Sequence, residues 1–328
     1  MTEMLEKIQN ETLSILRQYI KRGESVALLD YPNHFNAGDL LIYRGETNYL
    51  RQLGATLDYV CPTHTYDRRV LEERVPSGPV LLHGGGNFGD RWPAYQGFRE
   101  KVIADLPHRK IVQMPQTMDF QSETELARIQ ELYSAHPDLT LMIRDRVGYE
   151  RATEWFPKNE VVYCPDSAFG LGTVDAIAAP KHDVVVLKRG DHESVHEDHA
   201  VFAPAYVTDW HVSLADNLKW WPVTLIGTVL HQVKPLRRRL YPTFRRAFEW
   251  QTDMVVDGAV EILSQGSLVV TDRLHAAVLA VLMGKPVVMV DNVNKKISTI
   301  YNELLSEFPD AHLANSFVDA ERVARSLE

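Results

Sequence analysis

Short apolar runs that alternate with longer stretches of helical composition are the feature that most restricts how this chain can fold. The runs have the length of β-strands and lie at 25–30, 55–60, 78–86, 110–116, 139–145, 161–166, 183–191, 206–210, 267–273 and 285–292. The stretches between them that favour helices lie at 39–53, 95–106, 122–135, 252–264, 274–282 and 297–305. Strands that alternate with helices are typical of parallel sheets with crossover helices, so the pattern predicts an α/β fold.

The chain length predicts two domains, because 328 residues exceed what one hydrophobic core usually serves. A looser segment at 170–183, GLGTVDAIAAPKHD, interrupts the alternation. We therefore expect an N-terminal domain at 1–172, which contains a glycine-rich loop, and a C-terminal domain at 173–328. Two doubly wound domains that face each other would form a cleft between the carboxyl ends of their sheets, where such sheets bind ligands.

The overall charge argues against a general nucleic-acid binder, whose affinity depends on neutralising phosphates. The chain has 35 basic and 44 acidic residues, a net charge of -9, which still leaves room for a local basic site.

The chain has no apolar run of membrane-spanning length, and its first residues lack the basic start and apolar core of a secretory signal. Cys61 and Cys164 are too few for a disulfide or zinc framework. We expect a cytoplasmic protein whose two cysteines are reduced and buried.

In the first half, polar residues and glycines follow the ends of two predicted strands. Asn36 and Asp39 come after the first strand, and Asp39 is suited to cap a helix, although a plain strand-to-helix turn is an equal alternative. The third strand leads into GGGNFGD at 84–90, where backbone amides could approach an anion or a sugar closely. This loop lacks the Lys-Ser/Thr of a Walker loop and the spacing of a dinucleotide site.

Basic residues at later strand ends indicate an anion site. Arg144 ends one strand, and an arginine that points from a strand end into a cleft suits bidentate capture of a carboxylate or phosphate, whereas a surface ion pair with Asp145 or Glu150 is the alternative. Arg273 and His275 stand where an apolar helix begins, so that a titratable group lies beside an anion-binding helix terminus.

Residues 192–196 spell HESVH, which matches the H-E-x-x-H pattern of zinc proteases. A zinc-protease helix would be otherwise apolar and would have a third ligand nearby. Here His199 follows, but Val195 is the only bulky apolar residue in the run, so we expect a solvated loop or short helix and no metal.

The stretch 218–250 combines aromatic with basic residues, and between Lys234 and Arg246 it contains no acidic residue. An apolar and aromatic segment beside a basic one suits the surface of an anionic membrane. The alternative is a helix pair of the second domain with a solvated basic face.

Six motifs together resemble the polysaccharide pyruvyl transferase family. They are NAGDLLI, LLHGGGNFGD, QMPQT, IRDR, CPDSAF and TDRLHAAVLAVLMGKPVV, and the resemblance extends over about 26–305. The family implies two facing Rossmann-like domains, similar to GT-B glycosyltransferases. It also implies transfer of a group derived from phosphoenolpyruvate onto a sugar as a cyclic ketal, with the acceptor on the side of 1–172 and the donor on the side of 173–328. Related enzymes act on exopolysaccharide or cell-wall intermediates, which are commonly lipid-linked.

The resemblance also implies roles for individual residues. The donor would be held by Arg144, Arg273, Leu274, His275 and a lysine after the last strand, Lys295 or its neighbour Lys296. The residues expected to face the acceptor or the cleft are Asn36, Gly85, Gly86, Asn87 and Gln116. For catalysis we expect His275 as the general acid, Asp39 as the base and Asp166 as the second choice of base. Because arginine and lysine can stabilise the departing phosphate, no cofactor or metal is required.

Two other functions remain open at the level of sequence. A GT-B glycosyltransferase that uses a sugar nucleotide should carry an acidic residue for the ribose about one helix beyond the glycine-rich turn of the second domain. The chain has Arg-Leu-His at 273–275 in that region instead. A non-catalytic protein that binds a sugar or an anion should bind phosphoenolpyruvate without releasing phosphate.

Overall fold

Two parallel β-sheets, one from each half of the chain, form the framework of the protein. The computed structural model describes residues 2–190, 205–210, 218, 220, 234–291 and 296–327. Within that part, the first sheet contains β1 (Ser25–Leu29), β2 (Thr56–Cys61), β3 (Val80–Leu82), β4 (Gly85–Phe88), β5 (Ile111–Met118), β6 (Leu139–Ile143) and β7 (Glu160–Tyr163). The second sheet contains β8 (His182–Leu187), β9 (Tyr206–Thr208), β10 (Gly266–Thr271), β11 (Val287–Val290) and β12 (Ala311–Ala314).

The strand order differs from the chain order in both sheets, as expected for strands joined by crossovers. The first sheet runs β2-β1-β3-β5-β6-β7, with β4 beside β5, and the second runs β12-β11-β10-β8-β9. The paired strands are parallel, which requires crossover connections.

Ten α-helices lie in the described part of the chain. They are α1 (Thr2–Leu16), α2 (Ala37–Leu53), α3 (Arg68–Arg74), α4 (Pro93–Asp105), α5 (Glu123–Ser134), α6 (Arg146–Trp155), α7 (Lys234–Ser264), α8 (Leu274–Leu282), α9 (Lys296–Glu303) and α10 (Phe317–Leu327). The predicted α/β class with parallel sheets is therefore confirmed. The sequence pattern missed β12, α3, α6 and α10, and it predicted only the last part of α7. It also predicted a loop over 84–90, where residues 85–88 form β4 beside β5.

Both faces of each sheet are buried, which explains why the strands are continuous apolar runs in the sequence. In β1, Val26 and Leu28 pack into one hydrophobic cluster, whereas Ala27 and Leu29 pack into another on the opposite face. The first of these clusters also contains residues of the second sheet, such as Val269 of β10. A single core therefore connects the two sheets.

Helix α2 and the short 3-10 helix Ser167–Leu171 contact each other closely within this shared core. A Cβ at Gly45 would lie 1.8 Å from the carbonyl oxygen of Ser167, and one at Gly170 would lie 2.5 Å from the carbonyl oxygen of Gly45. The two backbones touch because neither position has a side chain. This contact fixes α2 against the segment that follows β7.

Helix α7 belongs to the second half of the chain, but its first part packs on the first sheet. The ring of Tyr241 stacks on Tyr59 at 5.5 Å, and its hydroxyl accepts a hydrogen bond from the backbone N–H of Val60 at 2.5 Å. Phe248 stacks on Tyr31 at 4.6 Å. These aromatic residues of 218–250 thus serve internal packing.

The basic residues of α7 whose side chains are described lie in different surroundings. Arg238 pairs with Glu73 at 3.4 Å, whereas Arg239 and Arg246 are exposed. None of the helices in the described ranges combines the length and apolarity needed to cross a bilayer. The boundary between 172 and 173 stays a prediction.

Candidate active site

A cavity of 520 Å³ lies where the carboxyl ends of strands from both sheets meet. It is lined by His34, Phe35, Asn36, Gly38, Asp39, Gly86, Asn87, Trp92, Tyr95, Arg144, Arg189, Trp210, Arg273, Leu274 and His275. Residues from both halves of the chain contribute to its wall. The cavity is thus at the edge of the sheets where α/β proteins bind ligands.

Eight of the predicted site residues line this cavity: Asn36, Asp39, Gly86, Asn87, Arg144, Arg273, Leu274 and His275. Gly85, Gln116 and Asp166 are buried behind its wall. Lys295 lies outside the described residues. Lys296 is the first residue of α9, and its backbone alone is described.

The carboxylate of Asp166 contacts cavity residues from both halves of the chain. Its Oδ2 accepts a hydrogen bond from Nη1 of Arg144 at 2.6 Å and lies 3.3 Å from Nε2 of His275. Its Oδ1 accepts from the backbone N–H of Ala168 at 2.8 Å. Burial raises the pKa of Asp166, but the opposing charges of Arg144 and then of His275 outweigh burial and hold it well below the ordinary value. Asp166 is therefore an anion that orients an arginine and a histidine.

Arg144 is almost fully buried at the end of β6, and 2% of its surface is exposed. Besides its bond to Asp166, its Nε donates to Oγ1 of Thr117 at 2.8 Å. We find no acceptor for its Nη2 among the described residues, and the guanidinium borders the cavity. The alternative of a surface ion pair with Asp145 or Glu150 is wrong for Arg144, because its partner is the buried Asp166.

The approach of His275 to α2 depends on Gly38. A Cβ at position 38 would lie 2.8 Å from Nδ1 of His275, closer than side chains pack. His275 is the second residue of α8, so it reaches across from the second sheet to the start of α2. A glycine in the first turn of α2 is thus needed for the two halves of the site to meet.

Asn36 and Asp39 form the start of α2 in a way that corrects one prediction. The helix begins at Ala37, and Asn36 caps it, since its side chain accepts a hydrogen bond from the N–H of Gly38 at 3.2 Å. Asp39 is therefore not the cap. Its Oδ2 accepts from Nδ2 of Asn36 at 2.8 Å and lies 3.5 Å from Nε2 of His34, and its side chain remains 30% exposed beside the cavity.

Arg273 precedes α8 and is held by Asp209, which follows β9. Its Nε and Nη2 donate to the two carboxylate oxygens of Asp209 at 2.5 Å and 2.7 Å. The carboxylate also accepts from the backbone N–H groups of Gly190 at 3.0 Å and Trp210 at 2.7 Å. This bidentate pairing fixes the plane of the guanidinium at the cavity wall.

The sequence interpretation missed several residues of the wall, among them Arg189, Trp210, Trp92, Tyr95 and His34. The sequence contained a signal for two of them, because Arg189 and Trp210 lie near the carboxyl ends of the predicted strands 183–191 and 206–210. The same applies to Asp209, the partner of Arg273. Trp92 and Tyr95 lie at the start of α4 and had no such signal.

The chemistry of the wall is that of an anion site. Among the residues that the structure describes, no cluster of three or more His, Cys, Asp or Glu side chains could hold a metal ion. The HESVH segment at 192–196 lies outside the described residues. Cys61 and Cys164 are both buried, as expected.

Comparison with known proteins decides the family. The family described as polysaccharide pyruvyl transferase matches residues 36–294, most of the chain. The chain belongs to the polysaccharide pyruvyl transferase family. It is thus a transferase of that family, and the six motifs of the resemblance led to the right assignment.

Two similar proteins carry pyruvyl transferase names. Putative pyruvyl transferase EpsO of Bacillus subtilis is 30% identical over 308 residues, which cover 92% of each chain. Pyruvyl transferase 1 of Schizosaccharomyces pombe is 31% identical over 313 residues, which cover 90% of this chain and 73% of that protein.

A solved structure shares the fold. It belongs to a functionally uncharacterized protein from Klebsiella pneumoniae, aligns with a TM-score of 0.59 and covers 96% of this chain and 100% of its own, at 19% identity. At that identity the likeness concerns the fold alone.

Proposed function

We propose that this member of the pyruvyl transferase family transfers the pyruvyl group of phosphoenolpyruvate to a hexose of a surface-polysaccharide, cell-wall or glycolipid precursor, forming a cyclic ketal. The observation that carries the proposal is the convergence of Arg144, Arg273, His275 and Asp39 on one cavity. In this proposal the two sheets belong to two facing Rossmann-like domains of the GT-B kind, and the substrates meet between them. No cofactor or resident metal takes part.

The donor binds to the arginines. Phosphoenolpyruvate carries about three negative charges near neutral pH, and charge-assisted hydrogen bonds to guanidinium groups hold phosphate and carboxylate well. Arg144 offers its Nη2, and Arg273 presents a guanidinium that Asp209 holds in a fixed plane at the wall. Leu274 lines the cavity between Arg273 and His275. Lys295 or Lys296 completes the donor site.

The reaction needs a proton for the methylene carbon of the donor. In the first step, a sugar hydroxyl adds to C2 while His275 donates a proton to C3, so that the methylene becomes a methyl group. In the second step, the neighbouring hydroxyl attacks C2, the bond from C2 to the phosphate oxygen breaks, and phosphate departs. The two hydroxyl protons leave by way of Asp39, and His275 regains a proton before the next turnover.

Asp39 is the better base of the two carboxylates. It is partly exposed at the cavity wall, whereas both oxygens of Asp166 are occupied by Arg144, His275 and a backbone amide. A carboxylate of such low pKa is a poor proton acceptor. Asp166 therefore acts as a positioning residue.

A ligand comparison tests the function. Phosphoenolpyruvate should raise the melting temperature of the wild-type protein, because a ligand that binds the native state stabilises it. A panel of sugar nucleotides should not. Stabilisation by a sugar nucleotide alone would support a GT-B glycosyltransferase, and phosphoenolpyruvate binding without phosphate release in the presence of any acceptor would support a non-catalytic binding protein.

Substitution of the acid tests the mechanism. His275→Ala should lose phosphate release by a factor of about 10² or more at saturating phosphoenolpyruvate, the range of general acid catalysis. His108→Ala, at an exposed histidine, is the control and should behave as wild type. Near-normal turnover of His275→Ala would remove His275 from the acid role.

The proposed acceptor is lipid-linked, so we place the protein in the cytoplasm at the inner face of the membrane, held by the basic segment 218–250. Arg239 and Arg246, exposed on α7, support this. In flotation with anionic liposomes, charge reversal at 237–239 should reduce binding. Reversal at the exposed Lys101, Arg151 and Lys158 changes the net charge equally and should not. Equal binding of both variants would contradict membrane contact.

A further inference from the structure

The side-chain amide of Asn87 is held in one orientation at the cavity wall. Its Oδ1 accepts hydrogen bonds from Nη2 of Arg99 and from Nε2 of Gln116, the latter at 3.1 Å. Its backbone N–H donates to Oε1 of Gln116, also at 3.1 Å. Its Nδ2 has no acceptor among the described residues, and Asn87 borders the cavity.

The orientation follows from what the neighbours can donate and accept. Arginine has donors and no acceptor, so the atom of Asn87 that faces Arg99 must be an oxygen. Gln116 is fixed in the same way, because its Nε2 also donates to the carbonyl oxygen of His83 at 2.8 Å. If the side-chain oxygen and nitrogen of Asn87 were exchanged, its N–H groups would face the N–H donors of Arg99 and Gln116. The Nδ2 of Asn87 is therefore directed to the cavity as a donor.

Arg99 lies on α4 and does not border the cavity. It is fully buried at 0% exposure, and its Nη1 donates to the backbone carbonyl of Asn87 at 2.8 Å, so that its guanidinium grips both the backbone and the side chain of that residue. Its counter-ion is Asp30, whose Oδ2 lies 3.2 Å from Nη2. A buried guanidinium without a partner would be strongly destabilising, so Asp30 keeps Arg99 in place.

Asp30 has an uncommon backbone conformation. It is buried directly after β1 with a φ of 69°, the one residue other than glycine in the described part of the chain with a positive φ. Such a conformation is strained for an L residue and persists where the surroundings determine it, which is frequent at functional sites. Here it directs the carboxylate beneath the cavity, toward Arg99.

We propose that Arg99 and Asp30 are positioning residues that lock the amide of Asn87, so that Nδ2 donates a hydrogen bond to a hydroxyl oxygen of the acceptor hexose. The inference rests on the proposed function for the identity of the ligand. Asn87 touches the sugar, whereas Arg99 and Asp30 act through Asn87. Rejection of sugars that lack the recognised hydroxyl follows, because the donor would be left without a partner.

Two variants distinguish the positioning of Asn87 by Arg99 and Asp30 from the contact between Asn87 and the sugar. Asn87→Asp keeps an oxygen toward Arg99 and Gln116 but replaces the N–H donors by a second oxygen. The double variant Asp30→Asn with Arg99→Met removes both buried charges and leaves Asn87 unlocked. Lys101→Met, at an exposed position on the same helix as Arg99, is the matched control.

The experiment measures phosphate release from phosphoenolpyruvate with methyl glucosides, galactosides and mannosides of both anomers as acceptors. We expect both variants to raise the KM of the accepted sugar about tenfold while the KM of phosphoenolpyruvate stays within twofold of wild type. Lys101→Met should match wild type in both. An unchanged sugar KM in Asn87→Asp or in the folded double variant, or an equal rise in both KM values, would overturn the proposal.

Separate measurements distinguish a variant that does not fold from a failure of the proposed function. If the double variant does not fold, Asn87→Asp still decides whether Nδ2 contacts the sugar, since it retains the buried ion pair. If the wild type is stabilised by phosphoenolpyruvate but no sugar of the panel supports phosphate release, the proposed transfer to a hexose fails, and the effect of the sugars on the side-chain amide NMR signal of Asn87 then decides the contact. If phosphoenolpyruvate itself does not stabilise the wild type, the proposed function fails, whereas a sugar-induced shift of the Asn87 side-chain amide NMR signal would still support the contact.

Discussion

At the scale of single residues, the site depends on one buried carboxylate. Asp166 holds Arg144 at 2.6 Å and His275 at 3.3 Å, although the three residues come from distant parts of the chain. The charge of Arg144, and then the interaction with His275, lower the pKa of Asp166 more than burial raises it. The charge of Asp166 therefore contributes to stability as well as to the geometry of the site.

The pH dependence of stability tests this charge. Because the folded-state pKa lies below that of the unfolded chain, about 3.9 for a carboxyl group, the stabilisation is present above that value and is lost on acidification through the folded-state pKa. Asp166→Asn should therefore lower the free energy of unfolding equally at pH 7 and pH 5. The difference from wild type should shrink below about pH 4.

Denaturant unfolding across this pH range measures the effect, with Asp310→Asn at an exposed aspartate as the control. A difference between Asp166→Asn and wild type that did not diminish in acid would mean that shape, and not charge, makes Asp166 important.

Gly38 is the residue whose replacement should alter activity most selectively. In Gly38→Ala the new methyl group would lie 2.8 Å from Nδ1 of His275, so the imidazole must move away from Asp166. Since misplacement by about 1 Å can cost 10²-fold in rate, we expect kcat to fall by roughly 10- to 100-fold with little change in melting temperature.

Steady-state kinetics checks this expectation against Gly97→Ala. Gly97 is an exposed helical residue, and a Cβ added there would meet nothing within 4 Å, so that variant should keep wild-type activity and gain slightly in stability. Equal activity of the two variants would show that His275 tolerates the added methyl group.

At the scale of elements, α7 binds the two halves together. Tyr31, which follows β1, directs its hydroxyl to three partners on α7: the carbonyl of Phe248 at 2.8 Å, and side-chain oxygens of Gln251 and Thr252 at 3.1 Å each. Tyr43 of α2 adds a hydrogen bond to Glu249 at 3.0 Å. The helix is therefore attached to the first sheet by hydrogen bonds as well as by aromatic stacking.

Removal of the Tyr31 hydroxyl should weaken this attachment. Tyr31→Phe leaves Oε1 of the buried Gln251 without its donor, so we expect the free energy of unfolding to fall by about 1–3 kcal/mol. Tyr301→Phe, which loses a single 3.5 Å contact to the carbonyl of Ala311, should lose far less. Equal loss in urea unfolding of the two variants would mean that the Tyr31 network adds nothing to ordinary packing.

The sequence interpretation of α7 fell short for a physical reason. Helical composition predicted 252–264, and 218–250 was left open between a membrane surface and a helix pair; Pro242 lies inside the observed helix, although prolines usually end helices. The aromatic residues of 218–250 suggested a membrane surface. Their partners are Tyr59 in β2 and Tyr31 just after β1, and no local sequence pattern predicts contacts between residues so far apart in the chain.

At the scale of the whole molecule, one hydrophobic cluster crosses from the first sheet to the second. It contains Leu28 of β1, Leu41 of α2, Phe248 of α7 and Val269 of β10. Because these residues share a core, we expect the two sheets to unfold together in one cooperative transition.

Phe248→Ala tests that cooperativity, since truncating a buried phenylalanine costs about 3–5 kcal/mol. Hydrogen exchange should show β1 and β10 losing protection by the same amount in this variant, because both depend on global unfolding. Val318→Ala, at an exposed position of α10, is the control. Loss of protection in β1 alone would mean that the sheets unfold independently.

From the sequence alone it was possible to predict the α/β class, most strands, the family and eight of the residues at the cavity wall, because these depend on local periodicity and on motifs at strand ends. The folded structure was needed to show that Asp166 lies behind the wall, that Asp209 holds Arg273, and that Arg99 and Asp30 hold Asn87. Each of these contacts joins residues of different elements, and the identity of a buried partner depends on how sheets and helices pack. Strand ends determine where a ligand can bind, whereas packing determines which charged groups are satisfied there and which remain for the substrate.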